Sequence, residues 1–279
     1  MERRDIIRSL TILPFAGGFR PIESILSPVT GPLEPGQNIY QSIGVEPVIN
    51  CVGTYTIIGG SIERPEVVEA MHAASGFFVQ YDELALGIGR RLAELTKAEW
   101  GMISSGCAAG MKHVTSACIA GGNPEKLVRI PDLTGFDKTE VVIPRSSRNA
   151  YDHSIRNIGV TIITVDTLEE LGKALNARTA MIYVMTGRDT LPGNKFAIDK
   201  IAALAKPLNI PFLVDAAAED LTIPNVHLQA GATVVAYSGG KAICGPQCAG
   251  LLLGQKDILM SAWQASSPHH GTGRDNKVG

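Results

Sequence analysis

The sequence predicts an α/β protein in which a mostly parallel sheet is covered by helices on both faces. Apolar runs such as EVVIPR (140–145) and TAMIYVM (179–185) are continuous rather than alternating, which is typical of strands buried on both faces. Helical patterns such as LEELGKALN (168–176) lie between such runs. Strands therefore alternate with helices along the chain, and this order favours a parallel sheet.

Strands are predicted at short apolar segments. The first lies within VINCVGTYTIIGGS (48–61), where a β-branched run ends in a glycine-rich turn. The others are residues 100–105, 140–145, 160–165, 179–185, 210–218, 232–240 and 249–254. Glycine or polar residues follow most of them, which is where a buried strand ends.

Helices are predicted where apolar residues recur at spacings of three and four. Pro65 opens PEVVEAMHAASGFF (65–78), because proline is tolerated at the first helical position, and Gly76 lies near its end. ELALGIGRRLAELTK (83–97) has the same periodicity. The remaining predicted helices are residues 106–121, 150–159, 168–176 and 197–209.

Composition excludes several classes of function. The 279 residues are 45% hydrophobic and 19% charged, with a formal net charge of −2, so nucleic acid is not an expected partner. No apolar run reaches the roughly 18 residues that a membrane span needs. The five cysteines are irregularly spaced, which predicts neither a disulfide framework nor a zinc site.

The N-terminal residues differ in character from the rest of the chain. Residues 1–19 contain Arg3-Arg4, then Ile6-Ile7-Arg8 and a short apolar stretch, a pattern typical of a twin-arginine export leader. An amphipathic tail in a cytoplasmic protein is the alternative. Residues 20–44 are rich in proline and glycine and predict a linker or arm. Residues 45–279 are then the main domain.

Candidate site residues follow the predicted strands, since ligands of open α/β sheets bind at the carboxyl ends of the strands. Ser105, Gly106 and Cys107 form a small-residue turn that could bind an anion at a helix N-terminus, although tight packing would also explain it. His153 lies in a polar cluster that could equally be a solvated loop. Asp215 follows an apolar run and is either a buried carboxylate or a helix cap.

Lys241 arrives at the same edge, after Ser238 and two glycines. An anion-binding turn, a stackable ring, a carboxylate and a lysine are together what pyridoxal phosphate requires. The turn would bind the phosphate, and the carboxylate would pair with the ring nitrogen. The lysine would bind the cofactor through a Schiff base.

Several segments resemble the selenocysteine synthase-like family of pyridoxal phosphate enzymes. The most specific is SGGKAICGPQCAGLLLG (238–254), and the resemblance covers residues 45–279. It implies the large domain of fold type I, the fold of the aminotransferases, with a seven-stranded, mostly parallel sheet in a homodimer or larger homo-oligomer. It further implies that Lys241 is the Schiff-base lysine and Asp215 the partner of the ring nitrogen. Ser105, Gly106, Cys107 and Ser238 would bind the phosphate, and His153 would stack on the ring.

The resemblance implies a lyase or transferase acting on a small amino acid or an amino sugar acid. Lys241 would remove the Cα proton, and a β-substituent would be eliminated or replaced. An aminotransferase or a racemase shares the first steps. The chain ends at Gly279, where the family's smaller C-terminal domain is expected to begin, so a non-catalytic cofactor-binding protein is the rival hypothesis. An α/β scaffold with unrelated ligands is a third.

Overall fold

The computed structural model describes residues 38–41, 44–269 and 271–272. The chain divides into two compact units, residues 1–50 and 51–279. Within the first unit, the backbone N–H of Val45 donates to the carbonyl oxygen of Tyr40 and closes a turn. The leader predicted over residues 1–19 lies outside the described residues, as does most of the arm predicted over residues 20–44. Both therefore stay predictions.

The second unit contains a seven-stranded sheet. The strands are β1 (Trp100–Ser104), β2 (Glu140–Pro144), β3 (Thr161–Val165), β4 (Thr179–Met185), β5 (Phe212–Asp215), β6 (Val234–Ser238) and β7 (Gly250–Gly254). Their order across the sheet is β1-β7-β6-β5-β4-β2-β3. Only β7 runs antiparallel to its neighbours, β1 and β6. The prediction of a mostly parallel seven-stranded sheet is confirmed.

The described part of the chain contains nine α-helices, most of which connect or cover the strands. They are α1 (Pro65–Ala74), α2 (Tyr81–Thr96), α3 (Cys107–Ala120), α4 (Pro124–Arg129), α5 (His153–Arg156), α6 (Leu168–Ala174), α7 (Ile198–Ala205), α8 (Val226–Gln229) and α9 (Lys256–Gln264). The helix predicted over residues 150–159 is shorter than expected: a 3-10 turn, Ala150–Asp152, precedes α5.

Two apolar cores lie on opposite faces of the sheet. One contains Tyr183 and Leu213 with residues of α3 and α9, and the other contains Ile182 and Val214 with residues of α6 and α7. Neighbouring residues of one strand thus enter different cores, because successive side chains of a strand point to opposite faces. Helices therefore cover both faces, as predicted.

The strand predicted within residues 48–61 is wrong. A 3-10 helix, Thr56–Ile58, and a turn occupy this segment, and Gly59 and Gly60 have φ angles of 91° and 71°. Ile57 is 93% exposed, so the β-branched residues here are not buried against a sheet. The glycine-rich turn was predicted correctly. In the part of the chain that the structure describes, no strand precedes Trp100.

None of the described helices combines the length and the apolar character that crossing a bilayer requires. Among the described residues, no group of three or more His, Cys, Asp or Glu side chains is arranged to hold a metal ion.

Candidate cofactor site

The candidate residues follow strands that end side by side. Ser104, the last residue of β1, and Ser238, the last residue of β6, both pair with Gly250 at the start of β7. Asp215 ends β5 and pairs with Ala236 of β6. The turn after β1, the loop after β6 and the end of β5 therefore share one edge of the sheet.

The turn between β1 and α3 is closely packed against β7. Gly106 has a φ of 87°, which favours glycine, and Ser104 donates a hydrogen bond from Oγ to the Gly106 carbonyl oxygen (2.9 Å). A Cβ on Gly250 would lie 2.4 Å from the carbonyl carbon of Gly106. Tight packing therefore explains part of the small-residue pattern. The first-turn N–H groups of α3 also have no acceptor within the helix, as in any helix, and could bind an anion.

The side chain of Cys107 contacts Asp215. Its Sγ donates to Oδ1 of Asp215 at 3.5 Å. Burial raises the pKa of the Cys107 thiol well above its usual range, and the charge of Asp215 adds to this effect. In this structure the thiol is thus a neutral donor to the carboxylate. Cys107 could serve a phosphate only through its backbone N–H.

Asp215 is buried and accepts three hydrogen bonds. The Ala217 N–H (3.1 Å) and Cys107 Sγ donate to Oδ1, and the Tyr183 hydroxyl donates to Oδ2 at 2.8 Å. A turn rather than a helix follows Asp215, so the helix-cap alternative is wrong. Burial raises the pKa of Asp215, while these donors and the positive charge of Lys241 oppose the rise. Such a carboxyl is well suited to pair with a cation.

Lys241 lies in a loop that folds back on itself. The Gly245 N–H donates to the Gly239 carbonyl oxygen at 2.8 Å. A Cβ on Gly240 would lie 1.9 Å from Oε1 of Gln247, so the second glycine makes room for Gln247 rather than for a flat ligand. The half-buried Lys241 acts electrostatically on both Asp215 and Cys107. The structure thus brings lysine, carboxylate and turn together.

His153 is less closely connected with this group. It begins α5 with an exposed side chain, and its Nδ1 lies 3.3 Å from the carbonyl oxygen of Ala150. Its role in stacking stays a prediction.

Three arginines are candidates for binding a substrate carboxylate: Arg148, Arg188 and Arg274. Arg148 contacts Asp152 and donates to the Thr164 hydroxyl at 2.9 Å, so its guanidinium is already engaged. Arg188 is exposed, and Arg274 lies outside the described residues.

Two polar groups beside Asp215 are not evident from the sequence pattern. Tyr183 lies within the apolar run TAMIYVM, and Asn149 donates from Nδ2 to its hydroxyl oxygen at 3.3 Å. Further along the same edge, Nε2 of His227 lies 2.6 Å from Glu219, and this contact lowers the pKa of Glu219. Met185 pairs with Asp215, so Tyr183, two residues before Met185, lies on the same face of the sheet as the Asp215 carboxylate. This register cannot be read from the sequence.

Two cavities in the described part of the chain lie away from the predicted cofactor-binding residues. One of about 130 Å³ lies between α2, β1 and α9, and another of about 600 Å³ lies beside α7 and the residues that precede β6. Neither is lined by any of the predicted cofactor-binding residues. The site is recognisable by its chemistry instead.

The donor set fits pyridoxal phosphate. Asp215 is a buried carboxyl surrounded by neutral donors, so a protonated ring nitrogen would complete its environment. Lys241 supplies a primary amine at the same edge, and the first turn of α3 supplies N–H groups for a phosphate. This fold and this set of groups define the class of fold type I pyridoxal phosphate proteins.

Comparison with known proteins shows which fold type I proteins this chain resembles. Residues 147–274 match the model of the aminotransferase class-V family. D-glucosaminate-6-phosphate ammonia lyase of Salmonella typhimurium is 32% identical over 251 residues, 87% of this chain and 66% of that protein. L-seryl-tRNA(Sec) selenium transferase of Shigella dysenteriae is 29% identical, over 77% of this chain and 50% of the transferase. The chain spans half to about two thirds of these relatives.

A solved structure of D-glucosaminate-6-phosphate ammonia-lyase superposes with a TM-score of 0.75 at 31% identity, covering 82% of this chain and 63% of that one. The chain therefore contains an aminotransferase class-V domain and has fold type I. The cofactor of this family is pyridoxal 5'-phosphate, as predicted from the sequence.

Proposed function

We propose that this chain is the catalytic domain of a pyridoxal phosphate-dependent lyase or transferase that acts on a small amino acid or an amino sugar acid. The observation that carries the proposal is the position of Lys241, which follows the end of β6 by three residues, beside the neighbouring strand β5 that ends in the buried Asp215. The name of the Salmonella relative favours an amino sugar acid and release of ammonia.

Each residue has a separate task in this proposal. Asp215 would pair with the ring nitrogen, while Ser238 and the backbone of Ser105, Gly106 and Cys107 would bind the phosphate. Bound pyridoxal phosphate supplies an electron sink that stabilises negative charge at the substrate Cα. Lys241 Nζ, once displaced from the cofactor by the substrate amine, would remove the Cα proton as a general base.

Loss of that proton would let a β-substituent leave. Hydrolysis of the resulting unsaturated amine, with one water, would give ammonia and an oxo acid. Retention of the amine after addition of another nucleophile would make the chain a transferase. Lys241 is the proton acceptor in both cases, so the fate of the β-substituent depends on the substrate and on groups around it.

The test of the cofactor assignment is covalent attachment at one lysine. Wild type mixed with pyridoxal phosphate should develop a visible absorption band, and borohydride reduction followed by peptide mass analysis should place the label on Lys241. Lys241→Ala should lose both signals. Lys173→Ala is the matched control, because Lys173 is an exposed lysine paired with Glu169 on α6. A wild type with neither band nor label contradicts the proposal.

Substrate assays separate the reaction types. Release of equal amounts of ammonia and oxo acid from an amino sugar acid indicates a lyase. Oxo acid without ammonia, formed only when a second oxo acid is added to accept the amino group, indicates an aminotransferase. Loss of optical activity alone indicates a racemase. Cofactor attachment at Lys241 without turnover of any of these substrates would favour the non-catalytic alternative.

A second part of the proposal is that the chain forms a homodimer or larger homo-oligomer. Before β1, the second unit exposes many large apolar side chains: Val52, Tyr55, Ile57, Ile58, Ile62, Val68, Met71, Phe77, Phe78, Val79, Tyr81, Leu84 and Leu95. We call the residues from Val52 to Tyr81 the apolar segment. Ser61 N–H donates to the Gly240 carbonyl oxygen (2.9 Å) and Arg64 N–H to that of Cys244 (3.1 Å). The segment thus adjoins the lysine loop, so a second copy covering it would lie beside the site.

A further inference from the structure

The environment of Asp215 has a defined capacity for hydrogen bonds. A carboxylate offers about two acceptor directions on each oxygen. Oδ1 receives the Ala217 N–H and Cys107 Sγ, so both of its directions are in use. Oδ2 receives the Tyr183 hydroxyl and has a second direction left. The atom that can meet a ring N–H is therefore Oδ2, and its orientation depends on Tyr183.

Asn149 determines where the proton of Tyr183 points. Its Oδ1 accepts the Tyr151 N–H at 2.7 Å, and its Nδ2 donates to the Ser147 carbonyl oxygen at 2.9 Å. These two backbone partners fix the orientation of the amide, so Nδ2 faces the hydroxyl of Tyr183. An amide nitrogen can only donate. The second N–H of Asn149 faces the Tyr183 oxygen at 3.3 Å and the weaker acceptor Met185 Sδ at 3.4 Å, so the Tyr183 oxygen accepts from Asn149 and its own proton goes to Asp215.

We propose that Tyr183 is a positioning residue for Asp215, held by Asn149, and that it directs the free acceptor of Oδ2 towards the cofactor's ring nitrogen. This inference rests on the proposed function, since it concerns how Asp215 meets pyridoxal phosphate. Tyr183 is fully buried and would not touch the cofactor in this role. It acts by preventing rotation of the carboxylate and by keeping one acceptor direction unfilled.

The chain contains a matched tyrosine on the opposite face of the sheet. Tyr237 of β6 is also fully buried, and its hydroxyl also receives a hydrogen bond from an asparagine, Asn225 Nδ2, at 2.6 Å. Tyr183 and Tyr237 pack in different cores, and only Tyr183 donates to Asp215. Removing the Tyr237 hydroxyl leaves the buried Asn225 without one partner, whereas removing the Tyr183 hydroxyl leaves the half-buried Asn149 and the buried Asp215 each without one. Tyr183→Phe should therefore lose somewhat more stability than Tyr237→Phe, and only Tyr183→Phe should affect binding of the cofactor.

The experiment compares Tyr183→Phe with Tyr237→Phe in the full chain. We expect Tyr183→Phe to weaken pyridoxal phosphate binding about tenfold, because one hydrogen bond to a charged group is lost. Tyr237→Phe should bind as wild type does. Thermal unfolding of both variants without cofactor reports the purely structural effect of each substitution.

The pH dependence of binding is the second measurement. Tyr183 from β4, Cys107 from α3 and Lys241 from the loop after β6 are the groups that act on Asp215, and all three favour its charged form. Loss of the Tyr183 donor should raise the pKa of Asp215 further. Binding of the cofactor needs the charged form of Asp215. As the pH is lowered, the affinity should therefore be lost at a higher pH in Tyr183→Phe than in wild type or Tyr237→Phe.

A second variant tests the direction of the proton. Asn149→Asp keeps Tyr183 but replaces the donor amide with an acceptor, so the tyrosine proton should turn to residue 149. This variant should reproduce the weaker affinity and the shifted pH profile. Equal affinities and pH profiles for wild type, Tyr183→Phe and Asn149→Asp would overturn the inference while leaving the proposed function intact. A wild type that does not bind the cofactor at Lys241 overturns both.

Discussion

The strands of the sheet and the apolar segment have similar amino acids and opposite environments. Ile182 in β4 is fully buried, whereas Ile62, before α1, is 93% exposed. None of the residues of α1 is buried, although the helix has valine, methionine and alanine side chains. The sheet with its helices therefore completes its own core within one chain. The apolar segment has no such partner among the residues that the structure describes, so a further partner is needed to cover it.

The largest expected difference between these regions is in the cost of removing an isoleucine side chain. Ile182→Ala should lower the free energy of unfolding by about 2–5 kcal/mol, because it leaves a cavity in a closed core. Ile62→Ala should change the value for the monomer by less than about 0.5 kcal/mol. Denaturant unfolding at low protein concentration measures both. Equal losses would contradict the division into a closed core and an open surface.

Helix α2 forms the border between the two regions, and its two central glycines test where the border lies. A Cβ on Gly89 would lie 2.2 Å from the ring of Trp100, whereas a Cβ on Gly87 would meet nothing within 4 Å. Gly89→Ala should destabilise by about 1–3 kcal/mol through overpacking. Gly87→Ala should stabilise by about 0.5–1 kcal/mol, since alanine favours a helix. Thermal unfolding of the pair gives the sign of each effect.

Self-association tests whether a second copy covers the apolar segment. Ile62→Lys and Phe78→Lys should each weaken association at least about tenfold, because a lysine would be buried in an apolar interface. Leu208→Lys is the control: Leu208 is 53% exposed but lies in the 3-10 turn after α7. Sedimentation velocity over a range of concentrations measures the constants. A wild type that stays monomeric throughout would contradict the proposal.

The smallest effect is expected at a polar contact that joins the two regions. Asp82 of α2 accepts hydrogen bonds from Trp263 Nε1 (2.7 Å) and His269 Nε2 (2.9 Å). The bond from Trp263 lowers the pKa of Asp82, and that from His269 adds to it. The contact therefore stabilises the fold at pH values above the ordinary carboxyl pKa of about 4. This contribution is lost as the pH falls through the lowered pKa of Asp82.

Asp82→Asn should remove that pH dependence. Because the side chain of Asp82 is 43% exposed, the change should be small. The measurement is the unfolding midpoint of wild type and variant between neutral and strongly acidic pH. A midpoint that declines equally in both proteins on acidification would show that Asp82 contributes nothing to the acid response.

The sheet was largely predictable from the sequence, because buried parallel strands are continuous apolar runs with sharp ends. TAMIYVM coincides with β4, residue for residue. The segment around Ile57 was mispredicted for the same reason: it has the composition of a strand without a strand beside it. Composition reports what a residue prefers, whereas burial depends on a neighbour that may be distant in the chain.

The candidate site was predictable to a different degree. Lys241 and Asp215 could be placed on one edge because both follow strands. Predicting the hydrogen bond between Tyr183 and Asp215 would have required the register between β4 and β5. Predicting the contact between Cys107 and Asp215 would have required the direction of the Cys107 side chain at the start of α3. Hydrogen-bond partners that come from different strands are set by register, which the hydrophobic pattern does not reveal.

The packing of Gln247 against Gly240 has a consequence for the entropy of ligand binding. The loop closes on itself through the Gly245–Gly239 hydrogen bond, so the backbone around Lys241 is shaped by its own contacts. If Lys241 binds pyridoxal phosphate as proposed, its backbone loses little freedom when the amine reacts, so ordering the chain takes less of the binding free energy. A larger side chain at residue 240 would therefore weaken attachment at the lysine by loosening a preorganised loop, without touching the ligand.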